Sequence, residues 1–230
     1  MAKQKILTGA ELGAEKQRTR LFGREDWLVT ILAQPELEDI CPWQLFDEKM
    51  VWGMTGFSKP WHAILAVHPE MIKHAPVPFP AEYLDACDWA DILILHPQLK
   101  SKVPWENLTW KGDKKIRLAW MNLLIRYPAF AKYCRWSIFY HHIGENNPNE
   151  WIRLLQLRPE FIKNYLKLSE ELTADSGITL ITPHEWAMII ALRPELLPYA
   201  PKKNFTNENW QEIIARQPHL CPERMKKAQP

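Results

Sequence analysis

Glycine is scarce in this chain, with 8 among 230 residues, and cysteine scarcer still, with 4. Few glycines leave little material for phosphate-cradling loops: Gly53 and Gly56 lack the GxGxxG spacing, and no GxSxG elbow occurs. The cysteines (Cys41, Cys87, Cys134, Cys221) include no CxxC pair, which argues against a zinc ribbon or a disulfide framework and favours reduced thiols in a cytoplasm. No stretch approaches 18 apolar residues, so no membrane span is expected. Near the start, Lys3 and Lys5 precede only Ile6 and Leu7 before polar residues resume, too short for the core of a signal peptide.

Tryptophan and proline are plentiful instead, at 12 and 19. Trp27–Pro35, Trp61–Pro69, Trp89–Pro97, Trp120–Pro128, Trp151–Pro159, Trp186–Pro194 and Trp210–Pro218 share one offset of eight residues. Chance would supply roughly one such pair, so the chain is read as a repeat array. Numbering each copy from its Trp as position 0, position +4 is Ile31, Leu65, Leu93, Leu124, Leu155, Ile190 or Ile214. Position +3 is Ile or Leu in every copy except Thr30. Offsets 0, 3 and 4 form one stripe on a helix. The Pro at +8 disfavours helix in the residue before it and can open a second, shorter helix. Two residues beyond it lies Leu37, Met71, Leu99, Phe130, Phe161, Leu196 or Leu220.

Starts are legible as well. Thr182-Pro183-His184-Glu185 and Asn147-Pro148-Asn149-Glu150 read as capped helix N-termini, with Asp85/Asp88 and Thr206 as weaker versions. Eight residues past the repeat Pro, Trp43, Trp105 and Trp136 mark a second half-motif, preceded by Cys41, Val103 and Cys134 and followed by Phe46, Leu108 and Phe139. Lys167 and Lys202 replace this Trp in later copies. The expectation is an all-α, curved solenoid of about seven helix-pair units of ~31 residues. An arm would occupy residues 1–23, the repeat domain 24–222 and a tail 223–230. A buried Trp withdraws roughly 150–250 Å² from water. That is about 4–6 kcal/mol gross, so the seven repeat indoles are read as core.

The pattern resembles tandem repeats of uncharacterised bacterial proteins, which carry Trp, Leu-Leu, Pro, Phe, Cys and Trp in that order. Trp27 to Trp43 and Trp120 to Trp136 match best, and a looser match covers about residues 24–222. That resemblance implies a repeat fold and carries no functional residue.

Catalytic patterns are weak. His184-Glu185-Trp186-Ala187-Met188 has Met188 where a zinc-protease helix needs its second His, and capping explains Glu185. His141-His142 with Glu145 reads as a polar loop, because adjacent helical residues diverge by about 100°. His68 and His96 hold position +7, shared with Gln34, Tyr127, Arg158, Arg193 and Gln217, and that position reads as a tolerant corner. No catalytic residue, metal site or cofactor site is assigned.

Charge is unevenly spread. Residues 25–98 carry 12 acidic and 3 basic side chains, whereas 99–135 carry 9 basic and 2 acidic. Within the basic block, Trp110, Lys111, Lys114, Lys115 and Arg117 form the candidate partner-binding group, with Lys100, Lys102, Arg126, Lys132 and Arg135 near in sequence. The leading expectation is a noncatalytic scaffold that binds another protein. Nucleic-acid binding through 99–135 is the alternative, weakened by the acidic stretch a long nucleic acid would meet.

Overall fold

A computed structural model describes residues 23–46, 59–80, 83–108, 110, 114–139, 150–176 and 180–222. Among them every regular element is a helix and there is no strand. The helices are α1 (Arg24–Ala33), α2 (Pro60–Val67), α3 (Ala86–Leu95), α4 (Lys114–Arg126), α5 (Glu150–Leu157), α6 (Ile162–Ser176), α7 (Pro183–Leu192) and α8 (Asn207–Arg216). None is long and apolar enough to cross a membrane. The expected arm, bar Gly23, the expected tail, Gly53 and Gly56, the Asn147-Pro148-Asn149 helix start and the His141-His142-Glu145 group lie outside the described residues.

The chain gathers into two compact units, Met1–Trp110 and Lys111–Pro230. Each has an interior of its own. In the first, α1 packs on α2 and α2 on α3; in the second, α4 packs on α5, α5 on α7 and α7 on α8.

One corner recurs in all seven copies. The +7 residue takes φ between −126° and −138° with ψ between 69° and 83°, the extended backbone that a following proline enforces. Its N–H still closes the helix by donating to the carbonyl of position +3, as Gln34 does to Thr30 and Arg193 to Ile189, both at 2.8 Å. Its own carbonyl then accepts from the residue two past the proline, as from Leu37 and Leu196. The second helix expected at that proline is in fact a 3-10 helix, for example Pro69–His74 and Pro128–Tyr133. Three of the described starts obey capping chemistry. Asp85 accepts from the N–H groups of Cys87 and Asp88, and Thr182 Oγ1 and Thr206 Oγ1 accept from those of Glu185 and Asn209.

Burial follows the stripe. The seven repeat tryptophans are buried, Trp210 being the most accessible at 6%. Positions +3 and +4 are buried from Ile64 and Leu65 through Ile189 and Ile190. Further aromatic rings pack against these indoles. Trp43 stacks on Trp61 with centroids 5.8 Å apart, and Trp136 on Trp151 at 5.5 Å. Phe79 meets Trp61 and Trp89 edge-on at 6.0 and 5.3 Å. In the fifth copy α6 runs straight on from its 3-10 turn and supplies Tyr165, which sits edge-on to Trp151 and Trp186 at 5.4 and 5.6 Å. Lys167 thus replaces a tryptophan whose place against the next indole is taken by a residue two positions earlier.

Neighbouring helices are also pinned at their ends. At five of the described corners the +7 side chain of one copy reaches the +5 carbonyl of the copy before it. His68 Nε2 lies 3.2 Å from Leu32 O and His96 Nε2 2.9 Å from Ala66 O. Arg158 Nε donates to Ile125 O at 2.7 Å, Arg193 Nε to Gln156 O at 2.5 Å and Gln217 Nε2 to Ala191 O at 3.1 Å. The last carbonyls of a helix lack internal partners and carry the negative end of its dipole, so N–H donors, and cations above all, suit them. The +7 position is therefore a joint between copies, not the tolerant corner that its varied residues suggest. Arg193→Met should cost about 1.5–3 kcal/mol in urea unfolding, the range of a hydrogen bond with a charged partner. A cost indistinguishable from that of exposed Arg153→Met would remove the joint.

Candidate functional site

The basic block does not fold as one exposed cluster. The unit boundary falls inside it, after Trp110. Trp110, Lys100 and Lys102 belong to the first unit, where Trp110 is half-buried and the two lysines are exposed. Lys114 and Lys115 open α4 in the second unit and face solvent, while Lys111 lies outside the described residues. Arg117 departs most from expectation, being fully buried. Its Nε stands 3.3 Å from Oε1 of Glu150, whose side chain is 3% exposed. Arg117 therefore has no place on a partner-binding surface. It lies three residues before Trp120, on the same helical face as the indole, and that face points inward.

The first unit has a looser ion cluster in the corresponding place. Lys59, ahead of α2, bonds Asp85 at 2.7 Å and also Asp88, both at the start of α3. Burial raises the Asp88 carboxyl above its ordinary range. Burial acts on Asp85 in the same sense, but the hydrogen bonds from Lys59 and the Asp88 backbone outweigh it and hold that carboxyl low. In both units a cation at one helix start meets the carboxylate just before the next copy's tryptophan.

Other chemistry-bearing side chains are committed to structure. Both Glu38 oxygens are engaged, by Lys73 Nζ at 2.8 Å and His74 Nε2 at 3.2 Å, which holds its carboxyl below the usual range. The His74 ring stacks on Trp43 at 4.3 Å. His184 Nδ1 lies 3.4 Å from Glu212, and Glu185 closes a capping box with Thr182. Burial pushes the Cys41 thiol up to about 12 and that of Cys134 well above the normal range. At pH 8 a thiol held as high as Cys41 is roughly a thousandfold less ionised than an ordinary cysteine. Iodoacetamide should therefore label Cys41 at least 100-fold faster in urea than in the native chain; equal rates would place it at the surface.

A different surface emerges from the repeat register. Large apolar side chains that remain exposed include Val67, Leu95, Leu157 and Leu192, at 47–56% accessibility. Each occupies position +6. Val29 and Met188, also exposed, hold position +2, one turn earlier on the same face. Within each unit the joint ties together the helix ends that carry these residues, through His96 to Ala66 O beside Val67 and Leu95, and through Arg193 to Gln156 O beside Leu157 and Leu192. The signal is present in the sequence, since +6 is Ala33, Val67, Leu95, Leu157 or Leu192 in five of seven copies. An apolar position outside the 0, +3, +4 stripe is not needed for the core.

Comparison with known protein families, with curated proteins and with solved structures finds no match.

Proposed function

We propose that this chain is a noncatalytic binding protein, a seven-copy helical-repeat array that presents its helix surfaces to another protein. The observation that carries this reading is the exposed apolar row at +6. In each unit a neighbouring pair is exposed at this register, Val67 with Leu95 and Leu157 with Leu192, and exposed apolar patches on folded proteins mark interaction sites. Repeat arrays offer broad recognition surfaces of this kind, a supporting analogy at the level of architecture. The resemblance to bacterial Trp/Pro repeats is consistent with it and adds no activity.

The nucleic-acid reading is weaker. It loses Arg117 to the interior and needs cations that fall in two separate units. We therefore expect no oligonucleotide binding at low salt, and no change in partner capture for Lys114→Glu with Lys115→Glu. Site-specific photo-crosslinking in the native cell tests the main reading. A crosslinking residue at Leu157, Leu192, Val67 or Leu95 should capture a discrete protein, and one at exposed Glu25 or Lys163 should not. Captured nucleic acid, or capture independent of position, would defeat it.

A further inference from the structure

Position +6 is chemically different in the two units. In the first it reads Ala33, Val67, Leu95, and the charged residue among positions +2 and +6 there is Asp91. In the second it reads Arg126, Leu157, Leu192, Arg216, so two leucines are flanked by two arginines, all four exposed. At +2 the second unit adds exposed Arg153 beside Leu157 and exposed Met188 beside Leu192. Three arginines thus frame an apolar centre. The carboxylate among these positions, Glu212, has its oxygen 3.4 Å from His184. Glu160 and Glu195 sit beyond the prolines, on the 3-10 turns.

We infer that this face of the second unit receives an acidic amphipathic helix of a partner protein, with two apolar anchors on Leu157 and Leu192 and carboxylates against Arg126, Arg153 and Arg216. The inference rests on the protein-binding reading above and deepens it. Arginine prefers planar carboxylates, which it can hold through two parallel hydrogen bonds. Spacing fits a helix laid across the row. Packed helices lie about 8–10 Å apart, so neighbouring +6 side chains present points at roughly that interval. Residues i and i+7 of a helix share a face and lie about 10.5 Å apart. A partner helix with apolar residues seven apart and acidic residues one heptad outside them therefore meets Arg126, Leu157, Leu192 and Arg216 in turn. The row does not have to assemble on binding. Gln156 Nε2 bonds Met188 O at 3.3 Å, and the Arg158 and Arg193 joints fix α5 on α4 and α7 on α5.

The probe is a fluorescein-labelled synthetic helix of about 25 residues, carrying two leucines seven apart and glutamates one heptad to either side. Its lysine counterpart, with each glutamate replaced, is the control. Fluorescence anisotropy with the full chain should show the acidic peptide binding at least tenfold tighter than the lysine peptide, with affinity falling as salt rises. Leu157→Glu with Leu192→Glu should weaken binding at least tenfold. Arg126→Glu with Arg153→Glu and Arg216→Glu should do the same and flatten the salt dependence. Val67→Glu with Leu95→Glu should leave binding unchanged. All these positions are exposed, so an unchanged far-UV spectrum and melting temperature confirm that each variant folds. Equal binding of the two peptides, undiminished binding by the face variants, or loss through Val67 and Leu95 instead would overturn the assignment. If the peptide fails while crosslinking captures a protein through Val67, this face is wrong and the binding reading survives; if both fail, both fall.

Discussion

Trp151→Ala should cost about 3–5 kcal/mol in chemical denaturation, and Trp120→Ala about as much, the range of large aromatic truncations in a core. Trp151 has no measurable exposure and lies among Trp136, Phe139 and Tyr165, with centroids 5.4–5.5 Å away. The loss therefore combines transfer of the indole with the aromatic contacts it leaves behind, each such pair being worth about 0.5–1.5 kcal/mol. Half-buried Trp136 is a useful internal reference. Its indole covers that of Trp151 from outside, so Trp136→Ala should cost clearly less. A loss under about 1 kcal/mol for both Trp120 and Trp151 would contradict the packing described.

The buried ion pair should behave in the opposite way to the indoles when its two members are removed together. Arg117→Met alone takes the guanidinium away from a buried carboxylate, and Glu150→Leu alone takes the carboxylate away from a buried guanidinium, so each should lower stability by about 3–5 kcal/mol. The double replacement should recover most of that loss, since apolar residues of similar volume tolerate such a site well. A double-mutant cycle in urea measures the coupling directly. Additive losses would mean that the two charges do not depend on each other, against the 3.3 Å contact between them.

The sequence makes some of this visible and hides the rest for identifiable reasons. The Trp/Pro register and the buried rows at 0, +3 and +4 are legible because apolar periodicity is set by burial itself. Starts at Asp85, Thr182 and Thr206 are legible because capping needs particular side chains at particular offsets. The +7 joint is hidden by its chemistry. Histidine, arginine and glutamine share only an N–H donor, and the acceptor is a main-chain carbonyl without any sequence signature. Charge alone groups Arg117 with Lys114 and Lys115, whereas its register with Trp120 assigns it to the interior. The long fifth-copy helix has a trace in Phe161, Ile162, Tyr165 and Leu168, all of which are buried. Nothing in the charge pattern points to a boundary between units after Trp110.

The joint at +7 binds main chain and not side chain on its receiving side, and this has an evolutionary corollary. At this joint the +5 side chain is free to vary, as Leu32, Ala66, Ile125, Gln156 and Ala191 illustrate. The Lys59–Asp88 and Arg117–Glu150 pairs are the opposite kind of seam, in which a change on one side asks for a matching change on the other.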